Sequence, residues 1–504
     1  MTTSGQPGSA APPLLPERAW QWAVLALIFL ASLLLNLLVP PAAPIHPNTH
    51  GIQEIRTILD PGLTIAPGEF YGPLYVSFMR FICIFGGWQE STIYATNAVL
   101  GALSVLALFA LARAIGFTTG GAFLGAALLG SHPAQVWLAG SESPMSLYLA
   151  LVLVGLTSLV LGIRRAAIAL LWLGAVAIGL ACRLHVLTLA ALPLALGFVA
   201  HTRARHQLTV NRRFALHAAL AAVTALTLWA THLWDLRWVP EAFAGKVRGE
   251  SSLAQFTVGN ILFDPTLSAI AVIFLAGWGA LLLHRHQRAL GLLLSWAFVV
   301  LVPAGLLVNS LRTDAVRYQT PTHWVLFLVA GAVVSFSPRL KKHEWTARGA
   351  LLVLLVAILG NAVYGWSVVH HGTIATRAYA FSRQAIKAVE APATLHLPRL
   401  EDDYRRLLVD VPVYDEQLRV VRGETPAAGD LVYLGLDCYR DPDLFAGRFD
   451  DTGQRVECAR ACLPLARTAI AETTLHRDLH RWGHHLLFHD LTVDSPRIGL
   501  YRCL

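Results

Sequence analysis

The run Trp20–Val39, WQWAVLALIFLASLLLNLLV, decides the fold. It carries no charge over twenty residues, and about 20 apolar residues cross the roughly 30 Å hydrocarbon layer of a bilayer as one helix. A cleavable leader has an apolar segment of only about 7–15 residues, closed by a small-residue cleavage site. This run is longer and no such site follows it, so it reads as a retained first span. Residues 1–19 ahead of it are rich in Ser, Gly, Ala and Pro and read as a flexible cytoplasmic N-terminus.

Further apolar runs follow at about 94–114, 120–137, 146–163, 167–181, 185–200, 214–234, 263–283, 289–309, 321–337 and 349–369. The expected fold is an all-α polytopic membrane bundle of about eleven helices, occupying residues 20–369. Several runs are short and rich in Gly and Ala, which suits close helix–helix packing. Composition agrees: of 504 residues, 55% are hydrophobic and 14% charged, against roughly 25% charged in soluble domains. That excludes an ordinary soluble enzyme, a disordered chain and a disulfide-stapled miniprotein.

The net charge of +8 does not imply nucleic acid. Basic residues fall in short clusters between apolar runs, as topology signals do. One set of loops holds Arg164, Arg165, Arg203, Arg205, Arg212, Arg213, Arg285, Arg288, Arg339, Lys341, Lys342 and Arg348. The alternate loops hold fewer: Arg56, Arg80, Arg237, Lys246, Arg248, Arg312 and Arg317. The positive-inside rule therefore predicts a cytoplasmic N-terminus and an outward C-terminus.

Two stretches outside the bilayer are then large, both on the outer side: the first loop, 41–93, and the tail, 370–504. The tail has ordinary polarity. Leu407–Val413, Asp430–Leu436 and Ile498–Cys503 alternate like strands, while Cys458–Asp490 has helical character broken near Gly483. A small C-terminal α/β domain is expected. Its Cys438, Cys458, Cys462 and Cys503 suit disulfides on an oxidising side, and four cysteines allow three connectivities. Cys182, inside a span, reads as a small apolar filler.

The first loop opens Ile45-His46-Pro47-Asn48-Thr49-His50-Gly51-Ile52-Gln53-Glu54, passes Asp60 and Glu69, and reaches Tyr71-Gly72-Pro73-Leu74-Tyr75. Val76–Phe85, interrupted by Arg80, is too short to span and reads as an interfacial helix before Gly86-Gly87. Ser141-Glu142-Ser143-Pro144 follows the third span, Arg183 the fifth, and Arg317-Tyr318-Gln319-Thr320-Pro321 enters the tenth. This arrangement, over roughly residues 20–330, resembles the GT-C membrane glycosyltransferases, among them protein O-mannosyltransferases and bacterial aminoarabinose and lipid-modifying transferases.

The resemblance implies transfer of a sugar from a polyprenyl-phosphate donor to a lipid, glycan or protein acceptor at the outer membrane face. A first-loop carboxylate would take the acceptor's proton, and an arginine would stabilise the departing phosphate. The chain departs from the family pattern after His46-Pro47, where Asn48 and Thr49 replace acidic residues; an amide is no general base. The candidates for catalysis are then Glu54, Glu69, Asp60 and His50, and for substrate binding Asn48, Arg56, Glu142, Arg183, Arg317 and Tyr318.

Plainer roles stand beside these. Asp60-Pro61-Gly62 is a turn signature, Glu142 suits a structural ion pair, and Arg317 with Tyr318 suits an interfacial anchor. The spacing of His476, His480 and His484 would align three imidazoles, but interleaved arginines disfavour a divalent metal, and no cofactor is expected. Two rivals remain: a non-catalytic relative in envelope glycan assembly, favoured by Asn48, and a transporter of lipid-linked substrate, which the lack of evident repeats disfavours. The Ala/Leu/Arg-rich composition suggests a bacterial inner membrane, with a periplasmic tail.

Overall fold

A computed structural model describes residues 16–38, 55, 57–62, 72–184, 191–206, 211–235, 265–284, 287–295 and 315–336. It also describes scattered helical positions between 349 and 385, and 393–397, 418–422, 427–434, 462–469 and 497–503. The helices are α1 (Ala19–Leu37), α2 (Gly72–Gly86), α3 (Glu90–Ala114), α4 (Thr119–Ser131), α5 (Pro133–Ala139), α6 (Met145–Arg164), α7 (Ile168–Leu184), α8 (Ala191–His206), α9 (Arg212–Asp235), α10 (Pro265–Leu283) and α11 (Ala315–Phe336).

Four described helices are long and apolar enough to cross a membrane: Ala19–Leu37, Glu90–Ala114, Met145–Arg164 and Arg212–Thr231. Shorter apolar helices lie between and after them. The expected runs at 289–309 and 349–369 fall mostly outside the described residues.

The run expected at 120–137 is two helices rather than one. His132 is extended, with ψ 122°, and α5 starts at Pro133. Proline lacks the N–H needed to continue α4 and pushes its predecessor out of helical geometry.

Close backbone approach holds the bundle together. A Cβ on Gly174 of α7 would sit 2.8 Å from the Leu159 nitrogen and 2.9 Å from the Gly155 carbonyl of α6. Gly121 of α4 and Gly331 of α11 meet backbone to backbone in the same way. With lipid as apolar as leucine, such contact and its dispersion energy replace the hydrophobic drive between helices. The turn from α6 to α7 places Ala166 at φ 50°, in the left-handed region.

Helix α2 is a separate element of 15 residues, about 22 Å long and too short to span. Pro73 sits in its first turn and Gly87, at φ 88°, ends it. Tyr75, Met79 and Cys83 are buried along one face, with Val76 beside them. The opposite side exposes Phe81, Ile84 and Phe85, the last 77% accessible. Burial pushes the Cys83 thiol up, so it packs as a neutral apolar group.

In the tail, five strands form one sheet in the order β2-β1-β3-β5-β4: β1 (Ala393–Leu397), β2 (Leu418–Arg422), β3 (Leu431–Leu434), β4 (Cys462–Ala469) and β5 (Arg497–Cys503). Strand β1 runs parallel to β2 and β3, while β5 runs antiparallel to β3 and β4. Leu395, Leu431, Val432, Leu500 and Tyr501 are buried on it. Buried His396 pairs through Nε2 with Asp430 Oδ2 at 2.8 Å, and the same oxygen accepts the Ala427 N–H.

Strands expected at Asp430–Leu436 and Ile498–Cys503 coincide with β3 and β5. The helical expectation for Cys458–Asp490 is corrected at its start, because Cys462–Ala469 is strand. Pro464 would interrupt a helix interior, whereas an edge strand tolerates it. Leu407–Val413 and the remainder of that stretch lie outside the described residues.

Candidate functional site

The loop between α5 and α6 carries the candidate Glu142. Glu142 is fully buried there, flanked by buried Ser141 and Ser143. The sequence makes the turn locally: Ser141 Oγ donates to the Leu138 carbonyl at 2.7 Å and accepts the Ser143 N–H at 3.3 Å. Ser143 Oγ then accepts the Met145 N–H at 3.3 Å, which closes the entry to α6.

Two side chains from other helices fasten this loop. Tyr75 Oη of α2 donates to the Glu142 carbonyl at 2.6 Å. Asn97 of α3, fully buried, donates through Nδ2 to Tyr75 Oη at 2.9 Å and to the Ser141 carbonyl at 2.6 Å. These bonds fix the loop at two consecutive backbone carbonyls beside buried Glu142. Near the start of α3, Tyr94 Oη donates to buried Glu90 Oε2 at 3.4 Å.

A second clamp ties the first loop to α2. Arg80 donates through Nε and Nη2 to the Thr57 carbonyl, at 3.1 and 2.6 Å, and through Nη2 to the Asp60 carbonyl at 2.9 Å. Ile55, Thr57 and Ile58 are buried beneath it. The Asp60 carboxylate accepts the Gly62 N–H at 2.9 Å on an exposed turn, the local role its Pro-Gly context suggests.

Chain direction then brings the other candidates to the same end of the bundle. Helix α6 runs away from Glu142, and α7 packs against it and returns, so Arg183 in the last turn of α7 lies at the Glu142 end. Helix α2 packs against both α3 and α7. On α11, Ser335 contacts Thr118 at the start of α4, while Phe327 meets His132 at its close. The first turns of α11, which carry Arg317 and Tyr318, therefore extend toward the Glu142 end. Among the candidates, Asn48, His50, Glu54, Arg56 and Glu69 lie outside the described residues.

Tyr75, Asn97 and Arg80 were absent from the candidate set. Each carried a signal: a Tyr closing Pro-Leu-Tyr, an amide inside a span, and a lone arginine interrupting an apolar helix. Among the described residues no group of three His, Cys, Asp or Glu is placed to hold a metal ion.

No family model and no curated protein matches the chain. Solved structures do. ArnT from Cupriavidus metallidurans bound to undecaprenyl phosphate aligns over 97% of this chain and 99% of its own, at 15% identity and TM-score 0.56. Its apo state aligns over 96% and 98%, at 14% identity and TM-score 0.57. The chain has the fold of these two ArnT structures. The mycobacterial arabinofuranosyltransferase AftD also matches, over 97% of this chain and 42% of its own, at 17% identity and TM-score 0.49. The resemblance drawn from the first loop, Ser141–Pro144, Arg183 and Arg317–Pro321 thus meets the same fold, reached independently through the backbone.

Proposed function

We propose that the protein transfers a sugar from a polyprenyl-phosphate-linked donor to a hydroxyl acceptor at the outer face of a bacterial inner membrane. The observation that carries this reading is the near full-length backbone likeness to ArnT bound to undecaprenyl phosphate. The gathering of Glu142, Arg183 and the first turns of α11 at one end of the bundle supports it.

In this reaction the acceptor oxygen attacks the anomeric carbon, and its proton passes to a first-loop carboxylate. The bond from that carbon to the phosphate oxygen breaks, and polyprenyl phosphate leaves with the negative charge. Asp60 already accepts a turn hydrogen bond, which favours Glu54 or Glu69 as the base. Arg317 and Arg183 are assigned to the phosphate, through charge-assisted bonds. Buried Glu142 is assigned to the sugar or acceptor hydroxyls, with Tyr75 and Asn97 as positioning residues. The bilayer holds the lipid tail; neither a metal nor nucleic acid enters the scheme.

Asn48 and Thr49 give a second reading some weight, that of a non-catalytic subunit in envelope glycan assembly. Native mass spectrometry of gently purified protein tests the donor site. A co-bound polyprenyl phosphate that is lost in Arg317→Ala is the expected result. Absence of polyprenyl lipid, or its undiminished retention in the variant, would overturn the assignment.

A further inference from the structure

The sheet register sets two cysteines opposite one another: Cys462 on β4 faces Cys503 on β5. The hydrogen bonds of Cys503 define what kind of pair this is. Its N–H donates to the Asp430 carbonyl at 2.9 Å, and its carbonyl accepts the Gly429 N–H at 2.7 Å. Both groups point away from β4, toward the β3 side. Opposed residues in an antiparallel ladder alternate between pairs that exchange both backbone bonds and pairs that exchange none. Cys462 and Cys503 are therefore a non-hydrogen-bonded pair, the kind whose Cα atoms lie about 4.5 Å apart. That falls inside the roughly 4.4–6.8 Å range that a disulfide bridges.

Pro464 supplies an independent check on this phase. It stands opposite Tyr501, two residues along each strand from the cysteine pair. Among the described strands β4 lies at the edge of the sheet, and proline is tolerated there where its missing N–H would face outward. That is the same phase deduced for Cys462. Cys503 itself is only 6% exposed, so the bond would lie in a sheltered position.

We propose that Cys462 and Cys503 form a cross-strand disulfide that fastens the last strand to the sheet edge. Of the three connectivities open to four cysteines, this selects the one that leaves Cys438 with Cys458. Forming the bond joins the two sulfurs and removes two electrons and two protons. A protein disulfide of an oxidising dithiol partner accepts them through a mixed disulfide and is reduced to two thiols. The inference rests on the outward placement of the tail, not on the transfer reaction.

The test uses full-length protein from membranes, denatured in N-ethylmaleimide without reductant, digested with trypsin and analysed by mass spectrometry. Cleavage separates Ala461–Arg467 and Cys503–Leu504 from Val456–Arg460, which holds Cys458, and from Gly423–Arg440, which holds Cys438. The expected species is Ala461–Arg467 joined to Cys503–Leu504, split by reduction. Cys503–Leu504 carrying the alkyl label, or joined to either other peptide, overturns the pairing. A disulfide-dependent phosphatase fused behind Leu504 tells the failures apart. An active fusion with alkylated cysteines refutes the pairing alone, while an inactive fusion refutes the outward tail and the pairing with it.

Discussion

Helix α6 and helices α1 and α9 share an apolar composition, but they live in different surroundings. Along Met145–Arg164, Leu149, Val152, Leu153, Leu156 and Val160 are all buried against neighbouring helices. On α1, Leu27, Leu30 and Leu34 form a helical stripe that stays open, with Leu30 57% exposed. On α9, Leu216, Leu220 and Val223 do the same, with Leu216 59% exposed. Spacings of three and four residues put each stripe on one helix face, the face a helix presents to hydrocarbon. Shared apolarity therefore conceals two surroundings: one helix is packed by its neighbours, while the others leave an apolar face open among the described residues.

The sharpest break of that comparison is Gly174→Leu. Its Cβ already meets α6 backbone, so the variant is expected to lose about 3 kcal/mol or more through overpacking. Heating in detergent followed by size-exclusion chromatography should show early loss of the monodisperse species. Leu216→Ala on α9, where the side chain is largely exposed among the described residues, is expected to shift the midpoint little. Equal shifts in the two variants would mean the α6–α7 contact is no tighter than the lipid face.

Next in size is the fastening of α2. Tyr75→Phe keeps the ring but leaves the Glu142 carbonyl and an Asn97 N–H short of a partner, at a cost of about 1–3 kcal/mol. The effect should be local: faster proteolytic nicking within residues 41–71 while the thermal midpoint of the bundle moves little. Arg80→Met, which removes three donated bonds to Thr57 and Asp60, should nick at least as fast. Unchanged nicking in both variants would show that α2 does not hold the first loop.

The smallest effect belongs to the α6–α7 turn. Ala166 has positive φ, a conformation that costs an L-residue about 1–2 kcal/mol, partly offset in glycine by its greater unfolded-state entropy. Ala166→Gly is expected to raise stability by a few tenths of a kcal/mol up to about 1 kcal/mol. A lowered thermal midpoint would contradict that reading of the turn.

Hydropathy made the four long apolar helices legible because a bilayer selects for length and apolarity residue by residue. It did not locate the break at His132-Pro133, where both halves remain apolar and only proline's geometry tells. The strand Cys462–Ala469 was illegible because its partner lies about thirty residues further on, and edge-strand patterning without a partner resembles a helix. Of the described candidates, Glu142 and Arg183 stand out in the sequence as charges beside apolar runs. Tyr75 and Asn97 carried weaker signals, a Tyr after Pro-Leu and an amide inside a span, and their pairing depends on a hydrogen-bonded contact between α2, α3 and the 140–144 loop that no local pattern encodes.

Donor consumption tests most directly whether the proposed sugar transfer takes place at the end of the bundle that carries Glu142. Purified protein in proteoliposomes would be given undecaprenyl-phosphate-linked hexoses and pentoses, with release of undecaprenyl phosphate followed by mass spectrometry. Acceptor-dependent release that falls by about 10²-fold or more when Glu54→Gln and Glu69→Gln are combined is the expected outcome, given what a general base contributes. Release that persists undiminished after every first-loop carboxylate has become an amide would contradict it.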